Sequence, residues 1–202
     1  MKKQNKLLIS ILSFLFIVIL FLMKMDKTIE FDTKIYNLII NLKNDKFTEV
    51  VKIITNFGDT ICIISIIFLC FIFFKNKFYP KIITLNIIGI VLINQFLKHL
   101  IQRPRPNFMH LIKENGFSFP SGHSMAAFGF YGLFIYLIYK SNLNKKIKIL
   151  FIFLLSILIF LIGMSRIYLG VHYFTDVLAG FIMSYIYLII FTYLIKKYQK
   201  NE

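Results

Sequence analysis

The stretch LLISILSFLFIVILFLM, residues 7–23, carries no charged side chain and no proline. Few folded environments suit such a segment. In a soluble domain it would have to be buried on every face, whereas a bilayer accepts about 20 such residues as one helix. Apolar runs recur along the chain, which is 58% hydrophobic with 24 phenylalanines and a mean hydropathy of +0.74. The sequence therefore predicts an all-α membrane protein, a six-span helical bundle. The expected spans are approximately 7–23, 60–75, 82–101, 123–139, 148–164 and 174–195. No other run is long enough for a second core, so residues 1–202 are expected to form a single membrane domain. The basic start resembles a signal peptide, but the long apolar run is followed by no small-residue cleavage site. An uncleaved first helix is expected.

Charge has to be read against that frame. The net charge is +15, a value that in a soluble protein would suggest nucleic acid. A duplex binder gathers its cations on one folded polar face, whereas here they fall in short loops between apolar runs. Nucleic acid is excluded as a partner. Lys2, Lys3 and Lys6, then Lys75, Lys77 and Lys81, then Lys140, Lys145, Lys146 and Lys148, then Lys196, Lys197 and Lys200 alternate onto one side. Glu202 is the one acid there, and eight of the nine acids fall on the other side. The positive-inside rule then makes both termini cytoplasmic, in a plasma membrane. Cys62 and Cys70 share one apolar run. Eight helical residues separate them by about 12 Å, beyond disulfide reach, so they are read as packing residues.

Residues 30–57 mix apolar positions at helical spacing (Phe31, Ile35, Leu38, Ile39, Leu42) with lysines and acids. Two readings are open: amphipathic helices in the outer interface after the first span, or an ordinary packed connection.

Three polar clusters remain, all on the outer side. KHLIQRPRP carries Lys98 near a span end and Arg105 in a loop stiffened by prolines. PSGHS, residues 120–124, opens the fourth span. A helix start presents unpaired N–H groups and a positive dipole end. Ser121 suits an N-cap, Gly122 lets an anion approach the backbone, and His123 can donate a proton near neutral pH. SRIYLGVHYFTD, residues 165–176, brings Arg166, His172 and Asp176. If the sixth helix begins here, His172 and Asp176 share a face. A carboxylate on one imidazole nitrogen leaves the other as a lone-pair donor and stabilises the imidazolium. Taken singly, each cluster also fits a helix cap or a snorkelling interfacial side chain. Together they supply what phosphoryl transfer needs: charge on the equatorial oxygens, an in-line nucleophile and an acid for the leaving group. The acids of the second half, Glu114, Asp176 and Glu202, are far apart. No magnesium cluster is expected, and cations would replace the metal.

These segments resemble the tripartite motif of the type 2 phosphatidic acid phosphatase superfamily, K-x6-R-P, P-S-G-H and S-R-x5-H-x3-D. The match is without substitution, and the resemblance covers roughly residues 50–195. Spacing from Lys98 selects Arg105 rather than Arg103, so replacing Arg105 is expected to matter more. The resemblance implies His172 as a nucleophile forming a phosphohistidine, Asp176 as its orienting partner and His123 as the general acid. It implies a phosphate cradle of Lys98, Arg105, Ser121, Gly122 and Arg166. His99 and His110 are read as a helix-end and a loop residue. The implied activity is metal-independent and cofactor-free hydrolysis of a lipid phosphate in the outer leaflet. Members of this family hydrolyse undecaprenyl diphosphate, phosphatidic acid or phosphatidylglycerol phosphate, and the outward site favours the first. A phosphotransferase and a non-catalytic lipid binder or transporter on the same frame are the alternatives. The family's soluble haloperoxidases do not fit a six-span chain.

Overall fold

The computed structural model describes residues 1–201, with side chains through Gln199. Glu202 and the side chain of Lys200, both assigned above to the tail, lie outside the described residues. Among the described residues the chain forms eight helices and no strand. They are α1 (Lys3–Lys24), α2 (Ile29–Ile40), α3 (Asp45–Asn56), α4 (Thr60–Phe73), α5 (Phe78–Ile101), α6 (Gly122–Lys140), α7 (Lys145–Tyr168) and α8 (Phe174–Asn201).

Four of these, α1, α5, α7 and α8, are long and apolar enough to cross a bilayer. A fifth candidate is the pair α3 and α4, bent by 49° at its break. The protein is thus an all-α membrane protein with four or five candidate spans, where the sequence predicts six. The difference lies in α4 and α6. The 14-residue α4 is short for a span taken alone. The 19-residue α6 opens with polar and small residues and packs against α5, α7 and α8. It is surrounded by protein more than by lipid, and its sequence needs less apolarity for that reason.

Lipid-like exposure marks the outside. Phe14, Phe21, Ile61, Phe73, Phe96 and Phe153 all stand open on the bundle perimeter, as expected where the solvent is hydrocarbon. Between helices the apolar effect is weak, because lipid tails are as apolar as leucine, and close packing with polar contacts takes over. A Cβ at Gly129 would strike Ile90, and one at Gly163 would strike Phe181, so these glycines set how closely α6 meets α5 and α7 meets α8. Asn86 Nδ2 donates to the Gly129 carbonyl at 2.8 Å, and Tyr131 Oη donates to the Phe57 carbonyl at 2.8 Å. Each such bond contributes on the order of 0.6 kcal/mol in a membrane. The inner core joins Ile63, Ile83, Phe130, Leu133, Ile162 and Leu188. A second cluster seats α1 on α8 through Phe16, Met23, Ala179 and Ile182.

The helix ends sort into two groups. Lys2, Lys140, Lys196 and Lys197 line one cavity, and Phe74, Phe78, Ser141 and Lys196 line its neighbour. The N-terminus, the 74–78 and 140–145 connections and the end of α8 therefore share one end of the bundle. The three polar clusters gather at the other. The stretch 30–57 forms two helices there, with α2 packed on α7 and α8, and α3 packed on α7.

Candidate active site

Each cluster is delivered by a helix end. The last turn of α5 carries Lys98, and Gln102 then takes a left-handed conformation (φ 54°), its N–H bonding the Lys98 carbonyl at 2.9 Å. Pro104 cannot continue the helix. The chain turns into the 103–121 loop, which closes back when Ser118 N–H donates to the Arg103 carbonyl at 2.9 Å. Ser121 caps α6: its Oγ accepts from the Ser124 N–H and hydroxyl at 3.4 and 2.8 Å. A Cβ at Gly122 would sit 3.2 Å from Asn94 Oδ1.

α7 ends at Tyr168, and Gly170 (φ 76°) reverses the chain towards His172. Here the structure corrects the helical-face argument: α8 starts at Phe174, so His172 precedes the helix. The pairing survives by another route. Asp176 Oδ2 accepts the Tyr173 N–H at 2.9 Å, as a capping-box carboxylate does. The same oxygen faces His172 Nδ1 at 3.4 Å. Nδ1 is then the protonated nitrogen and Nε2 keeps the lone pair, which meets Arg105 Nη1 at 3.3 Å. His172 is 2% exposed and Asp176 0%. Burial pushes the His172 ring down to about 4, against the opposing pull of Asp176, so the imidazole is neutral near pH 7.

Lys98, Arg105, Gly122, His123 and His172 all line one cavity of about 280 Å³, with Ile90, Val91 and Ala126 as its apolar lining. Ser121 lies just beneath as the helix cap, fully buried. Lys98 Nζ donates to the Phe117 carbonyl at 2.6 Å. Arg105 is held by the Asn115, Gly116 and Val171 carbonyls at 2.8, 3.0 and 2.9 Å. Arg166 is buried behind the cavity, bonding Thr55 Oγ1 at 2.8 Å, and its Nε has no partner among the described residues. His99 and His110 are not among the lining residues. Among the described residues, no three His, Cys, Asp or Glu side chains group as metal ligands. The larger cavity at the opposite end, about 660 Å³, is lined by no histidine or carboxylate among the described residues.

Four polar residues join the site that sequence reasoning did not place there. Glu114 bridges the arginines, paired with Arg166 Nη2 and 3.6 Å from Arg105 Nη2. Asp59, the N-cap of α4, lies 3.4 Å from His123 Nε2. Arg103 does not line the cavity. It is buried behind Asp176, 2.6 Å from Oδ1, and also meets Asp32 of α2 at 3.0 Å.

The tripartite cluster, gathered at one end of an α-helical bundle, can be compared with known proteins. The PAP2 superfamily model matches residues 79–200. The chain belongs to the PAP2 superfamily. It is a membrane lipid phosphatase, similar to phosphatidylglycerophosphatase B of Bacillus subtilis (strain 168), with which it is 36% identical over 155 residues, 74% of this chain and 76% of that protein. Dolichyldiphosphatase of Saccharomyces cerevisiae is 34% identical over 96 residues, 44% of this chain and 40% of that protein. Among solved structures, a transmembrane PAP2-type phosphatidylglycerolphosphate phosphatase from Bacillus subtilis superposes with a TM-score of 0.86 at 29% identity. That match covers 94% of this chain and 96% of the other. The likeness therefore reaches α1 to α3, ahead of the matched family region.

Proposed function

We propose that this PAP2 phosphatase cleaves a lipid phosphate at the outer leaflet through a phosphohistidine on His172, without a metal. The observation that carries the reading is the His172 ring, held at Nδ1 by Asp176 and turned at Nε2 towards a cavity bordered by Lys98, Arg105 and His123. The Nε2 lone pair attacks phosphorus, and the P–O bond to the lipid breaks. His123 gives its proton to the leaving oxygen, releasing a lipid alcohol from a monophosphate or a lipid monophosphate from a diphosphate. Water, deprotonated by His123, then attacks the phosphohistidine, and the P–N bond breaks to restore Nε2. Lys98, Arg105, Arg166 and the Gly122 N–H neutralise the equatorial oxygens, the work a magnesium ion does elsewhere; the Ser121 N–H is already bonded to the Asp176 main-chain carbonyl at 3.1 Å. Asp176 stabilises the imidazolium.

In this reading α4 and α6 complete six spans within one domain over 1–202. Both termini face the cytoplasm of a plasma membrane, a placement supported by the lysine-rich ends converging away from the site. Val91, exposed at the edge of the cavity, offers an apolar surface along which a tail stays in lipid while the head group enters. The relatives suggest two head groups. The longer and more identical match favours phosphatidylglycerol phosphate as substrate. The dolichyldiphosphatase match keeps a polyisoprenyl diphosphate, here undecaprenyl diphosphate, as the second reading.

Phosphate release by purified protein in detergent with EDTA tests this directly, with both lipids offered side by side. Release that survives EDTA and disappears in His172→Ala is expected, and the faster lipid chooses the head group. Retained turnover in folded His172→Ala would remove the nucleophile and the reading.

A further inference from the structure

Arg103 occupies one of the unspecified positions inside the first motif, and Asp32 belongs to the amphipathic stretch before the family resemblance begins. Both are buried, at 8% and 0% exposure. Burying a charge is costly unless it is paired and hydrogen-bonded, and here the pairing is complete in a particular direction. Arg103 Nη1 donates to Asp176 Oδ1 at 2.6 Å and to Thr175 Oγ1 at 2.9 Å. Its Nη2 donates to Asp32 Oδ2 at 3.0 Å and to Thr28 Oγ1 at 3.3 Å. The guanidinium face lies 3.8 Å over the Tyr173 ring. Asp32 in turn accepts from the Thr175 N–H and hydroxyl at 2.9 and 2.8 Å. A carboxylate from α2 thus caps the first turn of α8 from outside.

We infer that Arg103 and Asp32 are positioning residues for the reaction, fixing Asp176 so that His172 presents Nε2 to the phosphate. The inference rests on the phosphohistidine reading above. Asp176 has two oxygens with separate duties. Oδ2 serves the Tyr173 N–H and the imidazole, and Oδ1 is anchored by Arg103. Without that anchor the carboxylate is free to rotate about its terminal torsion, and the imidazole loses its orientation. Asp32 acts on charge as well as position. Arg103 paired with Asp176 alone would cancel the negative field that stabilises an imidazolium. With Asp32 sharing the guanidinium, the group of two carboxylates and one cation keeps one net negative charge beside His172. On this account α2 is part of the catalytic apparatus although none of its residues lines the cavity.

The test is a double-mutant cycle between Arg103→Gln and Asp176→Asn, with Asp32→Asn measured alongside, all on full-length protein in detergent micelles. A displaced catalytic group costs roughly a hundredfold in rate. Arg103→Gln should therefore lower kcat by about that factor while KM stays within roughly twofold, and Arg103→Lys should recover part of the loss. In the Asp176→Asn background the same substitution should cost almost nothing, because its route to His172 is already cut. Asp32→Asn keeps the shape of the side chain and the Arg103–Asp176 contact, so it tests the charge argument even if Arg103→Gln fails to fold. A kcat loss of roughly tenfold is expected. Folded Arg103→Gln and Asp32→Asn proteins with wild-type kcat, or full additivity with Asp176→Asn, would overturn the inference while leaving a His172-dependent wild type standing. A wild type with no phosphatase activity would remove the phosphohistidine reading and this inference together.

Discussion

Glu114 sits where an anion would be welcome, its carboxylate shared between Arg166 and Arg105. A phosphate entering the cavity has to compete with it. Where one partner keeps some access to solvent, as Glu114 does, such contacts contribute on the order of 1 kcal/mol, so Glu114→Gln should tighten inhibition by inorganic phosphate by roughly fivefold. Inhibition constants for the two proteins check this, and weaker inhibition in the variant would show that Glu114 holds the arginines in place instead. His172 offers a second test. An ordinary histidine is more than half protonated at pH 6, but this ring, driven down to about 4 by burial, should remain neutral there. NMR of isotope-labelled histidine, assigned with His172→Gln, reads the difference; a protonated ring at pH 6 would contradict it. The sign for stability follows. Between about 6.5 and about 4 the folded state binds fewer protons than the unfolded chain, so the contribution of His172 is present above that window and lost as pH falls through it. Every residue the motif spacing named is found at or just behind the cavity. Arg103, Asp32 and Glu114 escaped because their partners are remote: Arg103 and Asp32 stand 71 positions apart, and Asp32 and Thr175 stand 143 apart. Local spacing holds no record of such pairs.

Helix ends position the site, so turns are the vulnerable elements. Gly170 is left-handed, and a Cβ there would press on the Met109 carbonyl. Gly170→Ala carries at least ~1–2 kcal/mol of backbone strain. It should lower the Tm in detergent and reduce kcat, since the same turn aims His172; thermal unfolding with an unchanged midpoint would contradict this. The amphipathic stretch divides by what each side meets. Phe31, Leu38 and Leu42 are exposed, as an interfacial helix requires, while Ile35 and Ile39 pack inward around buried Tyr36. Asp32, also buried, is the polar group that α2 turns towards the catalytic turn. Spacing marks the apolar positions of such a helix but not which of them meet protein and which meet the interface. In α6, glycines along the helix lower its apolarity as a span, and the helices wrapped around it tolerate them.

At the scale of the molecule, the apolar runs gave the helical bundle directly, because a span must satisfy its backbone internally and leaves a long record in sequence. The bent pair of α3 and α4 left no such record, as its break at Phe57, Gly58 and Asp59 divides an amphipathic helix from an apolar one. If both termini face the cytoplasm, a reporter fused at the C-terminus is protected from external reagents in intact cells, and labelling there would invert the orientation. The central claim concerns one bond, between His172 Nε2 and phosphorus. Rapid mixing with a lipid carrying radiolabelled phosphate, followed by an alkaline quench, should capture label on the protein that resists base and is released by acid. His172→Ala should carry none. Turnover at full rate with no label on protein at any mixing time, or label that persists in His172→Ala, would contradict the account.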